Sequence, residues 1–207
     1  MSSLPPSSTS PQEFFEKWLP GAFAAAPVPD AAKAIDVKLG VRLDGESGGE
    51  WVFHMNRGSL EITPGSAEPC AFTLIQSVDD WRGSLWEGRG GAFGKQAAAM
   101  FQPSAQASGP GPGGRPPMNP QAIERLGALK GVIRMVVSGG PGGDWRVDFK
   151  LGPGPVPADP TTTVTIAHAD AEAMGRGELD PMQAFMAGKI QIAGDMGLMM
   201  QMQAATM

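Results

Sequence analysis

Glu178-Leu179-Asp180-Pro181-Met182-Gln183-Ala184-Phe185-Met186-Ala187-Gly188-Lys189-Ile190-Gln191-Ile192-Ala193-Gly194-Asp195-Met196-Gly197-Leu198-Met199-Met200-Gln201-Met202-Gln203 is the stretch that decides the fold. Asp180 stands where a carboxylate caps a helix, Pro181 takes the first helical position, and Gln183 follows three residues after the cap, so a helix begins at Pro181. Gly188 ends it. Lys189 to Ala193 then alternates polar and apolar, the period of a half-buried strand with Ile190 and Ile192 facing a core. Gly194 turns the chain and Asp195 caps again. Met196, Leu198, Met199, Met200 and Met202 give the last helix an apolar stripe. Just upstream, the run from Thr161 reads as a strand followed by a short helix.

In order and spacing this stretch resembles the C-terminal signature of the sterol carrier protein type 2 (sterol-binding) domain family, G-x-L-x-P-x-x-A-F-x-x-G-K-L-x-I-x-G-x-M-G-L. The resemblance implies an α+β fold: a sterol-carrier-like five-stranded sheet with helices covering one face, enclosing an apolar cavity. It implies non-enzymatic carriage of a fatty acid, acyl-CoA, phospholipid, sterol or isoprenoid, with no cofactor. The last strand and helix would line the cavity, which makes Met174, Phe185, Met186, Ile190, Ile192, Met196, Met199 and Met202 candidate ligand contacts. Gln203 would offer a polar contact to a head group. Methionine's unbranched, polarizable side chain suits an irregular apolar wall, although by composition alone the same residues fill a core. Ala187 and Ala193 are smaller than many members of the family carry at those places. Two rival readings belong to other classes: a scaffold or homodimerisation module whose pocket has collapsed, and an accessory subunit presenting a lipid to an enzyme.

The rest of the chain is consistent with a globular protein. Its 207 residues suffice for one large or two small domains. They are 42% hydrophobic, and no apolar run is long enough for a membrane span. The net charge of −5 gives no reason to bind nucleic acid. Met1 to Ser10 is polar and proline-rich, unlike a secretory signal, so a disordered tail and a cytoplasmic protein are expected. The single cysteine, Cys70, excludes a disulfide framework and a Cys-rich zinc site.

Four segments follow from the pattern: a tail at 1–9, a degenerate sterol-carrier-like unit at 10–101, a Gly/Pro-rich linker at 102–118 and a lipid-binding unit at 119–207. In the first unit, Ser10 caps a helix carrying Phe14, Phe15, Trp18 and Leu19 that should stop by Pro20-Gly21, with a short helix around 31–34. Strand periodicity runs through Ile35 to Leu43, Trp51 to Met55, Ser59 to Ile62 and Ala71 to Ile75. Ser77 or Asp79 caps a helix with Trp81 and Leu85. Asn119-Pro120 opens the second unit with a helix bearing Ile123, Leu126 and Leu129, then strands at Val132 to Val137 and Trp145 to Leu151. Gly48-Gly49-Glu50-Trp51 matches Gly142-Gly143-Asp144-Trp145, and Phe72-Thr73-Leu74 matches Val164-Thr165-Ile166 at nearly the same shift, which reads as a tandem duplication.

Catalytic motifs fail on inspection. Glu87 to Lys95 is glycine-rich, but a phosphate loop would need glycine at Arg89 and a hydroxyl residue at Gln96, so a flexible turn is expected. The dinucleotide fingerprint lacks its third glycine at Phe93. His54 and His168 have no second histidine at ligand spacing, Cys70 reads as a small buried hydrophobe, and the acid pairs Asp79-Asp80 and Glu178/Asp180 read as helix caps.

Overall fold

A computed structural model of the protein describes residues 4–26, 33, 36–102 and 125–206. All of the helix expected at 31–34 except Lys33, nearly all of the linker, and the Asn119 cap with Ile123 lie outside them. Alternation sets the strands: β1 (Asp36–Asp44), β2 (Gly49–Asn56), β3 (Ser59–Pro64), β4 (Phe72–Ser77), β5 (Gly131–Gly140), β6 (Gly143–Leu151), β7 (Thr162–Ala167) and β8 (Ile190–Gly194). All join one eight-stranded sheet in the order β3-β2-β1-β4-β6-β5-β7-β8, which corrects the expected five-stranded sheet. The cause is the antiparallel pairing of β4 with β6, Phe72 opposite Leu151 and Ile75 opposite Asp148. Without it both strands would be edges exposing rows of bare N–H and C=O groups.

Connections repeat on the two sides of this junction. β1 runs antiparallel to β2 and parallel to β4, just as β5 runs antiparallel to β6 and parallel to β7. Side chains alternate between the faces, so Val41, Leu74, Phe149, Ile133 and Val164 share the face that the helices cover.

Helix α1 joins Pro11–Glu13, a widened π-helical Phe14–Trp18 and Leu19–Ala24. The sequence pattern stops it by Pro20-Gly21; it continues because the wide turn, with Leu19 N–H bonded to the Phe14 carbonyl, makes room for the proline ring. Next come α2 (Val78–Arg82 continuing through Gly83–Glu87), α3 (Gly91–Ala99), α4 (His168–Gly175), α5 (Pro181–Met186) and α6 (Met196–Thr206). Residues 4–9 do not hang free: Trp86 donates to the Pro5 carbonyl, and Arg82 donates to those of Ser7 and Thr9.

The glycine-rich stretch expected as a flexible turn leads instead into α3. Its glycines allow close approach. A Cβ on Gly90 (φ 81°) would lie 2.5 Å from the Trp145 ring, and one on Gly175 would lie 2.5 Å from the Ala92 Cβ where α4 meets α3. Gly88 shares the left-handed backbone (φ 70°) but has nothing within 4 Å of its added Cβ. Gly88→Ala is therefore expected to cost about 1 kcal/mol from backbone conformation alone. Gly90→Ala is expected to cost about 3 kcal/mol, since its methyl must also displace the indole. Urea unfolding of the two variants checks the difference, and equal losses would contradict this packing.

Candidate functional site

The quoted stretch forms the elements its punctuation predicts. Asp180 accepts from the N–H groups of Met182 at 2.8 Å and Gln183 at 3.1 Å, starting α5. Gly188 reverses the chain with φ 71°, and Lys189 reaches Asp170 at 2.5 Å. β8 then lies antiparallel to β7, Ile190 opposite Ile166 and Ile192 opposite Val164. Asp195 caps α6 through the N–H groups of Gly197 (2.7 Å) and Leu198 (3.3 Å). Its own carbonyl accepts from the Thr162 hydroxyl at 2.6 Å, tying α6 to β7.

Five of the candidate residues come to the helical face. Met174, Ile190, Ile192, Met199 and Met202 are half-buried and packed against the core. Three others are not drawn into a wall. Phe185, Met186 and Met196 are 41%, 73% and 47% exposed, because α5 is a short helix that buries only Ala184 fully and α6 turns Leu198 inward. The side chain of Gln203 lies outside the described residues. Two half-buried neighbours were not singled out from sequence: Met135, opposite Val164 and Val147, and Phe149, opposite Ile133. The alternations Ile133/Met135/Val137 and Val147/Phe149/Leu151 place them on this face.

These half-buried residues lie on the part of the sheet between the contacts of two helices. α6 sits at the start of β5 and β7, its Leu198 so near Gly131 that a Cβ there would be 2.7 Å away. α4 sits at the far end, with His168 against Gly140. Between them Phe149, Met135 and Ile192 keep partial exposure on β6, β5 and β8, while Val164 on β7 is buried.

The corresponding face of the N-terminal half is filled. Phe14, Phe15, Trp81 and Phe101 are at most 1% exposed, with Phe15 centred 4.8 Å from Trp51 and Phe14 5.1 Å from Trp81. Two pockets lie elsewhere. One, of about 20 Å³, is on the opposite face of the sheet, lined by Arg42, Glu50, Glu68, Thr73 and Lys150 among others. The other, a groove of about 420 Å³, runs past Gln12, Glu16, Trp51 and Pro64. No C-terminal candidate lines either one.

Ionisable groups are engaged in structure. Asp80 accepts from the Ser77 hydroxyl (2.7 Å) and the Arg146 N–H (3.2 Å), and Asp79 pairs with Arg89 at 2.5 Å. Arg176 hydrogen-bonds Glu178 and holds its carboxyl below the usual range. Burial pushes the Cys70 thiol up. Among the described residues no group of three or more His, Cys, Asp or Glu is placed to hold a metal ion, and no helix is long and apolar enough to cross a membrane.

Residues 115–206 match the SCP-2 sterol transfer family. Among curated proteins the chain is similar to hydroxysteroid dehydrogenase-like protein 2 of Xenopus laevis, 33% identical over 85 residues, or 39% of this chain and 20% of that protein. The Xenopus tropicalis counterpart is 34% identical over the same length. The match thus spans about a fifth of the length of these relatives. Among solved structures, the sterol carrier protein domain 2 of Helicoverpa armigera is 29% identical, covering 41% of this chain and 70% of that one with a TM-score of 0.31. A palmitated sterol carrier protein 2-like protein from Aedes aegypti is 23% identical, covering 42% and 93% with a TM-score of 0.30.

Lys150 gives a test that separates structural from functional charge. Its side chain is 2% exposed, its ammonium donates to the Glu68 carbonyl at 3.3 Å, and burial lowers its pKa from the ordinary 10.5. The cost of burying that charge is present below the depressed folded value and relieved as pH rises through it. Relative to Lys150→Met, the wild type is therefore expected to gain stability as pH is raised from neutral toward 10.5. Thermal unfolding across that range measures it; a pH-independent gap would contradict the assignment.

Proposed function

We propose that the protein binds a hydrophobic molecule and carries it without altering it, the ligand lying over Phe149, Met135 and Ile192 between α4 and α6. The observation that carries this reading is the half-buried apolar strip on the helical face of the part that matches the SCP-2 sterol transfer family. Met174, Met199 and Met202 border it, and their flexible thioethers can follow ligands of different outline. Covering roughly 150 Å² of apolar surface would be worth about 4 kcal/mol before ordering costs. Phe185, Met182 and Met186, exposed beside the β8 edge, form the open end where ligand enters. Gln203 is the proposed polar contact.

Charge narrows the ligand class. Arg176 and Lys189, the cations nearest in sequence to the open end, are already paired with Glu178 and Asp170. That favours a fatty acid, sterol or isoprenoid over the polyanionic head of an acyl-CoA.

The chain is further proposed to be a tandem duplication. The repeated hairpin-plus-parallel-strand connection and the matched Gly-Gly-acid-Trp turns support it. In this reading the first copy has filled its ligand face with aromatic rings and serves to complete the sheet.

The exposed Met182, Phe185, Met186, Met196 and Met200 favour a second reading, a homodimer formed through this face. Native mass spectrometry with lipid extraction, on protein purified from its own source, separates the two. Carriage predicts a co-purifying apolar ligand whose occupancy falls at least about tenfold in Met199→Trp, a change worth roughly 1.4 kcal/mol, with the unfolding temperature unchanged. A dimeric mass, with no uptake from fatty-acid, sterol, phospholipid and quinone panels, would overturn carriage in favour of self-association.

A further inference from the structure

We infer that the length of the bound hydrophobic chain is set by a residue of the N-terminal half, Phe72, acting through Phe149. This rests on the binding site proposed above. Phe72 belongs to β4, outside the region that matches the family. Because β4 pairs with β6, the Phe72 ring lies stacked on Phe149, with centroids 5.7 Å apart and planes inclined by 29°. The two rings differ in exposure. Phe149 is half-buried and faces the strip, whereas Phe72 is 7% exposed and backs it.

Beyond this pair the helical face is closed. Leu74, directly opposite Phe149 on β4, is fully buried, and Phe15 and Phe101 fill the space over the N-terminal strands. The apolar strip therefore starts at the β8 edge, crosses β7 and β5, and stops at the ring on β6. Three inter-strand spacings, about 14 Å, separate its ends. A hydrophobic chain entering beside Phe185 runs across the strands until its terminal methyl meets Phe149, and Phe72 behind it prevents that ring from swinging away. The N-terminal half thus acts as a stop for a ligand it does not itself contain.

Removing the backing ring is expected to admit a longer chain. Each further buried methylene strengthens binding by about fourfold. The test loads the full-length protein with an equimolar series of saturated fatty acids from lauric to behenic and reads occupancy by native mass spectrometry. In Phe72→Ala, the acid two carbons longer than the one the wild type prefers is expected to gain about tenfold relative to it. Phe72→Leu should shift the same way by less, guarding against loss of fold in the alanine variant, and Phe149→Trp should shift preference to shorter acids. Thermal unfolding confirms that each variant is folded. An unchanged chain-length profile in folded Phe72→Leu and Phe149→Trp overturns the inference and leaves lipid carriage standing. A wild type that takes up a sterol but no fatty acid also overturns the inference alone, whereas one that takes up nothing overturns both.

Discussion

The pairing of β4 with β6 is the constraint on which the rest of the molecule depends. It covers two strand edges at once and is reinforced on either side. Gly152 and Gly154 donate to the Ala71 and Glu68 carbonyls, each at 2.8 Å, beyond one end of the ladder. At the other end the Trp145 indole donates to the Asp80 carbonyl at 3.1 Å, and the Arg146 N–H reaches the Asp80 carboxylate. Arg89, held by Asp79 and Glu87, fits where a Cβ on Gly83 or Gly142 would collide with it. The loops and helices that flank the junction are thereby fixed together, so α3 can pack on α4 through Ala92 and Gly175.

Within this shared sheet the halves use different chemistry on the same face. The N-terminal half is packed with rigid aromatic rings, several in edge-to-face contacts such as Phe14 with Trp81 at 85°, which leave little freedom once formed. The C-terminal half places methionines and isoleucines there, with shorter helices and partial exposure. A surface that has to accept a guest needs adaptable side chains and incomplete cover; a surface that has to hold the sheet together needs neither. The proposed division of labour rests on side-chain type, since the strand connections on the two sides are alike.

The local grammar of the signature was legible because its residues act on the backbone directly. Asp180, Pro181, Gly188, Gly194 and Asp195 each end or begin an element through a cap, a proline-fixed φ or a left-handed backbone, and the resulting α5, β8 and α6 follow. The alternating runs were legible for the same reason. What the sequence could not convey was long-range: that β4 would pair with β6 depends on edges meeting in space, which local periodicity does not encode. The helix through Pro20 and the helix opening at Gly91 were hidden because proline and glycine normally argue against a helix, and here a widened turn and a close-packed Trp145 override that preference. The half-buried placement of Ile190, Ile192, Met174, Met199 and Met202 is in keeping with the periodicity and the resemblance. The outward turn of Phe185 and Met186 did not follow from them, since a helix of six residues does not specify which neighbour it leans on; nor did that of Met196, which opens α6 where Leu198 takes the buried place.

The central claim, that a hydrophobic ligand lies on the helical face of the C-terminal strands, is tested most directly by photocrosslinking. A fatty acid bearing a diazirine along its chain would be bound, irradiated and its adducts mapped by peptide mass spectrometry. Adducts on Met135, Phe149, Ile192 and Met199, competed away by unlabelled fatty acid, are the predicted result. Adducts confined to the groove at Gln12, Glu16 and Trp51, or to the polar face around Lys150, would contradict it.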